Sequence, residues 1–183
     1  MESWGSARYG DPCRECGFDW TISAEDAIAL VDRIPGRYAE LLTGTDGSQR
    51  HPDLAWSAGA YVCHVADNLR IWAERVAGAL IGENRPVTGY DENLLARDRR
   101  YDDVAIAGAL WSLERSARDW REVIEEALAV HLVLVHADRG EQSGVDIARN
   151  NAHDAHHHGW DIRRAIQADG ARQGASSEAP GHT

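Results

Sequence analysis

The chain has 183 residues, of which 43% are hydrophobic and 27% charged, and its formal net charge is −11. That length suits one domain with a real core, and an acidic balance without any basic, aromatic-interleaved cluster argues against a nucleic-acid binder. No apolar run approaches a membrane span, no charged-then-apolar leader opens the chain, and three cysteines cannot build a disulfide framework, so no membrane association and a reducing, cytoplasmic setting are expected.

Residues 1–20 read as an irregular N-terminal extension holding Cys13-Arg14-Glu15-Cys16-Gly17. A Cys-x-x-Cys followed by Gly is half of a zinc knuckle, but no second cysteine pair completes four ligands. A redox dithiol or a plain turn fits the same residues. The first helix begins at Ser23, which forms an Asp variant of the capping box with Asp26. Ala27, Ile28, Leu30 and Val31 open its apolar face, Tyr38, Leu41 and Leu42 continue it, and Pro35-Gly36 should kink or split it. A Gly-Thr-Asp-Gly-Ser cluster at 44–48 closes the element.

A second helix is expected over 53–81, apolar on a broad face as inside a bundle, with His64 at its middle. A lone histidine there is more often a hydrogen-bonded core residue than a ligand. Residues 82–100 read as a crossing loop, and a third helix covers 103–129 with a solvated charged face. The β-branched run 130–136 suits an extended segment, followed by a turn. A fourth helix runs from about 144 to 168, and 169–183 is a Gly, Ser and polar stretch expected to be a disordered tail.

Four of the nine histidines fall within six residues of that fourth helix, at 153, 156, 157 and 158. Ala148, Ala152, Ala155, Gly159, Ile162 and Ile166 lay one small-to-apolar stripe beside them. His153 and His157 are four apart, so they project from one face about a turn from each other, the geometry by which a helix offers two imidazoles to one metal. His156 and His158 point elsewhere. With His64 from the second helix the set becomes three imidazoles and an open fourth position, a catalytic rather than a structural arrangement.

These residues resemble the DinB-like superfamily, which includes mycothiol- and bacillithiol-dependent transferases and maleylpyruvate isomerase-type proteins. The resemblance rests on Tyr61-Val62-Cys63-His64-Val65-Ala66-Asp67 and on His153-Asp154-Ala155-His156-His157-His158-Gly159, and spans residues 23–168. It implies an all-α four-helix bundle over 21–168, and a metal held by His64, His153 and His157. The metal expected is zinc, with Ni2+, Fe2+ or Mn2+ as alternatives. It further implies a homodimer in many members and a small-molecule substrate. A low-molecular-weight thiol such as mycothiol is the cofactor expected, its thiolate favoured by the metal. On that reading the protein is a metal-dependent thiol transferase or isomerase, with Arg70, Arg75 or Arg163 as donors to an anionic thiol.

His156 is the candidate acid–base group beside the metal, weighed against a core hydrogen bond. Asp67 or Asp161 could fix a ligand imidazole through its other nitrogen, and Cys63 is a packed small residue. Rival readings share the site. His153-Asp154-x-x-His157 differs from the peptidase His-Glu-x-x-His pattern by one carbon, and ranks lower because no downstream ligand motif or peptide-binding strand is evident. A small-molecule hydrolase or cyclase could use the same three histidines. The non-enzymatic alternative is a dimer that binds metal or ligand without turnover.

Overall fold

The computed structural model describes residues 4–82 and 86–177, with side chains through residue 171. In chain order the elements are α1 (Ser6–Tyr9), α2 (Ala24–Leu41), α3 (Ala58–Leu80), α4 (Glu92–Asp98), a 3-10 turn (Tyr101–Asp103), α5 (Ile106–Ala129), the hairpin β1 (Val133–His136) and β2 (Gly140–Ser143), and α6 (Gly144–Ser177). The four long helices make a bundle in which α2 and α3 each pack against both α5 and α6. Their apolar stripes meet in one core, which also takes in Cys13, Phe18 and Trp20 from the N-terminal segment. Among the described residues no helix is long and apolar enough to cross a membrane.

Several boundaries differ from the periodicity, each for a local reason. Ser23 does cap α2, its hydroxyl accepting from the Asp26 N–H at 3.0 Å, but the helix runs through Pro35 without splitting. Proline removes a single N–H, and Val31, Ile34 and Tyr38 on either side of it are buried in the core. The second long helix starts at Ala58 rather than 53, because Ser57 is the cap: its Oγ accepts from Ala60 N–H at 3.2 Å and donates to Asp102 at 2.7 Å. Within the expected crossing loop, Asp91 accepts from the N–H groups of Asn93 and Leu94 and starts α4. The extended segment is there as β1, paired antiparallel to β2 with His136 opposite Gly140. The last helix continues past Ala168 to Ser177, and the remainder of the expected tail, 178–183, lies outside the described residues.

Two buried polar contacts set the rotation of α6. The Tyr38 hydroxyl of α2 donates to the Ala155 carbonyl at 2.6 Å, and Trp120 Nε1 of α5 donates to Asn151 Oδ1 at 2.9 Å. At Gly159 the helix passes so close to Tyr38 that a Cβ would stand 3.1 Å from the ring's Cε1. These contacts turn Ala152 and Ala155 into the core, leaving the neighbouring histidines and aspartates for the bundle's edges.

Candidate metal centre

Successive residues of an α-helix are about 100° apart, so the five polar residues between His153 and His158 cannot share one face. On α6 the run divides into two pairs at i,i+4 spacing, His153 with His157 and Asp154 with His158, offset by one residue. Each pair meets a different neighbour.

His153 and His157 meet the N-terminal segment. That segment folds back through a tight turn in which Cys13 N–H donates to Phe18 O at 2.8 Å and Gly17 N–H to Cys13 O at 2.9 Å. Gly17 sits at φ +73°, a conformation that favours glycine. Phe18 and Trp20 are buried anchors, with ring centroids 5.4 and 4.4 Å from that of His153, and the Tyr9 ring lies 4.6 Å away on the same imidazole. Arg149 of α6 clasps the far end of the segment by donating to Ile22 O at 2.8 Å. The result is a donor group of Cys13, Cys16, His153 and His157 whose ligand atoms all lie within 4.8 Å of one another.

The second pair faces α3. His64 Nε2 lies 3.7 Å and His158 Nε2 3.5 Å from the same oxygen, Asp154 Oδ1, and the three side chains form a second donor group. Their orientation is fixed from behind. Asn68 donates to Asp154 Oδ2 at 2.8 Å and accepts from the Tyr90 hydroxyl at 3.1 Å. His158 Nδ1 stands 2.9 Å from Asp161 Oδ2; a carboxylate only accepts, so Nδ1 carries the proton and Nε2 is turned toward Asp154. Tyr61 stacks on the His158 ring at 5.0 Å, and Trp56 lies 4.8 Å from His64. This group opens onto a cleft of about 420 Å³, whose other walls include Arg8, Tyr9, Arg75, Tyr90, His136 and Arg139.

The electrostatics of the two groups differ. Burial, reinforced by the neighbouring His157, pushes His153 down to about 4, and burial with His158 nearby also lowers His157. Both imidazoles are neutral near pH 7, the form that ligates. Burial pushes the Cys16 thiol up to about 12, with the adjacent Cys13 adding to the rise. At the second group burial works to lower His158, but the carboxylates of Asp154 and Asp161 outweigh it and raise the group to about 9. Burial works to raise Asp154, and His158 and His64 hold it well below the usual carboxylate range. The two carboxylates thus hold a proton on His158 at neutral pH, and an ion bound at its Nε2 would take that proton's place.

The three histidines expected as one ligand set are therefore divided: His153 and His157 come together, while His64 falls into a separate donor group with Asp154 and His158. His156 points to another face, its Nε2 3.2 Å from the Cys16 carbonyl, and lines a groove with Leu30, Arg33 and Arg37 rather than the cleft. Among the described residues Asp67 holds no imidazole; it accepts from Tyr101 at 2.5 Å and pairs with Arg99. Asp161 does take the role suggested for it, on His158. Arg75 stands on the cleft wall over the Trp72 ring, whereas Arg70 is engaged with Glu74 and Asp67. Cys63 is buried in the core, which pushes its thiol up to about 11. Asp154 and His158 are members of the second donor group that the histidine pattern passed over, although their own i,i+4 spacing carried the same signal.

No protein-family model matches the sequence, and no curated protein matches it. Among solved structures, YfiT from Bacillus subtilis is similar with a TM-score of 0.68 at 16% identity, over 82% of this chain and 87% of that one. The two share a four-helix bundle fold. YfiT is described as "a probable metal-dependent hydrolase with an unusual four-helix bundle topology". At that identity the likeness concerns the fold.

Proposed function

We infer that this protein is a metal-dependent enzyme acting on a small molecule, with His64, Asp154 and His158 as the ligands of its reactive centre. The observation that carries this reading is the convergence of His64 Nε2 and His158 Nε2 on one Asp154 oxygen at the wall of a cleft large enough for a small substrate. Two imidazoles and a carboxylate suit zinc, nickel, iron(II) or manganese(II), and leave coordination positions unfilled by protein. The donor set fits such an ion: His64, Asp154 and His158 each bring one ligand atom to within 4.8 Å of the others, two imidazole nitrogens and a carboxylate oxygen.

A divalent metal bound there would supply a Lewis acid able to stabilise an anionic nucleophile at neutral pH. The chain's own residues do the rest. Asp161 fixes the His158 tautomer, and Asn68 with Tyr90 holds Asp154 from behind. Trp56 and Tyr61 shield the imidazoles from water. Arg8, Arg75 and Arg139 on the cleft wall suit an anionic substrate or thiol, and for that reason the favoured reaction is thiol-dependent transfer or isomerisation, with mycothiol as the type of thiol. Hydrolysis is the second reading. It is favoured by the two-histidine, one-carboxylate ligand set, which resembles hydrolytic zinc sites, and by the likeness to YfiT, a probable metal-dependent hydrolase.

One experiment separates them. The metal-loaded protein is incubated with a panel of electrophiles and hydrolysable esters and amides, with and without low-molecular-weight thiols. Thiol consumption that requires both metal and His64 supports transfer. Turnover that is indifferent to thiol but lost in His64→Ala supports hydrolysis. Activity retained in both His64→Ala and His158→Ala would overturn the assignment of this centre.

A further inference from the structure

The Cys13–Cys16–His153–His157 group shares no ligand with that centre, although His153 and His157 also line the cleft. Three of its features point to a ligand. The four side chains place one donor atom each within 4.8 Å of one another, and Cys13 Sγ lies 4.0 Å from His157 Nδ1. Zinc bonds of about 2.3 Å to sulfur and about 2.0–2.1 Å to nitrogen, at tetrahedral angles, separate neighbouring donors by about 3.5 Å. Small rotamer adjustments therefore close the set. His153 Nε2 is buried with no hydrogen-bond partner, and His157 keeps its other nitrogen toward the carboxylates of Glu15 at 3.4 Å and Asp161 at 3.8 Å. Acidic groups behind a ligating imidazole are the usual outer partners of a zinc site.

The sequence spacing agrees. Cys-x-x-Cys and His-x-x-x-His are the two halves of a Cys2His2 site, here separated by most of the chain. Charge closes the account: on binding, each thiol releases its proton to solvent, and a dication with two thiolates and two neutral imidazoles is neutral overall. That is the form in which such a group tolerates burial.

We propose that Cys13, Cys16, His153 and His157 form a closed four-ligand zinc site that fastens the N-terminal segment to α6. Four protein ligands leave no open position, so its role is structural. By fixing residues 4–20 it also fixes Arg8 and Tyr9, which form part of the cleft wall. The ion thus shapes the reactive cleft from one wall, which His153 and His157 also line.

The test uses the full chain. Elemental analysis should give one zinc equivalent fewer in the Cys13→Ser, Cys16→Ser double variant than in the wild type. Cobalt-substituted wild-type protein should show thiolate-to-cobalt charge-transfer absorption, kept in His64→Ala and lost in the double serine variant. Should that variant fail to fold, the wild type still decides: a mercurial that caps thiolates should release one zinc to a chromogenic chelator. A cobalt form without the thiolate band, or no zinc released on capping, would overturn the proposal. Because the band is read on different residues, a failure of the His64 centre leaves it unchanged.

Discussion

Gly159→Ala is the most direct probe of the seam that holds the site helix. In an open helix the change would stabilise, by about 1 kcal/mol from propensity and at most about 0.8 kcal/mol from a buried methyl. Here the added Cβ would stand 3.1 Å from Tyr38 Cε1 and 3.8 Å from its oxygen. Tyr38 is fully buried, and its hydroxyl is held by Ala155 one turn earlier on the same helix. The ring can move aside only by loosening that bond, worth about 0.5–1.5 kcal/mol, while overpacking costs about 1–3 kcal/mol. The costs win, with a net loss of about 1 kcal/mol and a fall in Tm of about 2–4 °C for a domain of this size. Urea unfolding of Gly159→Ala, Tyr38→Phe and the double variant measures it. In the Phe background the ring is untethered, so the alanine should cost about 0.5–1.5 kcal/mol less there. A higher urea midpoint for Gly159→Ala, or an equal cost in both backgrounds, would refute the reasoning.

Asp161→Asn keeps the shape but removes the carboxylate that orients His158; metal affinity at the His64 centre should fall by about 10–100-fold, read by chelator competition, while the cobalt–thiolate band stays because Glu15, at 3.4 Å, still backs His157. Asp67→Asn weakens the charge-assisted bond from Tyr101 and should cost about 1.5–3 kcal/mol in urea unfolding. Its metal content should not change, and a loss of metal would show that Asp67 supports an imidazole after all. Asn151→Leu strands the buried Trp120 N–H and should cost about 1–3 kcal/mol, with a red-shifted tryptophan emission expected on loosening of that contact. An unchanged stability would mean that α6 is positioned without this bond.

Most of the bundle was legible because its helices are amphipathic at a steady period. Val31, Ile34 and Tyr38 on α2, and Leu113, Trp120 and Ile124 on α5, recur at helical spacing and are all buried. Their ends were less legible because they depend on single side-chain bonds. Ser57 rather than Asp53 starts α3, and it does so while also donating to Asp102, a tertiary partner no local window contains. Asp91 starts a helix within a stretch that reads as loop, since α4 is too short to establish a period.

The site was half legible, and the division is geometrical. Helical spacing shows that His153 and His157 act together and that His64 faces inward from another helix. It does not show which wall each pair meets. One residue of offset between His153/His157 and Asp154/His158 turns them toward different neighbours, and that offset decides the chemistry. The first pair meets thiols contributed by a segment more than 130 residues away in sequence, a placement set by Phe18 and Trp20 packing on the bundle. The unfinished Cys-x-x-Cys-Gly and the surplus of histidines were each incomplete alone, and each supplies what the other lacks. Two pairs on successive residues let one helix meet the N-terminal segment with His153 and His157 and meet His64 with Asp154 and His158, with Asp161 within reach of His157 and His158 together.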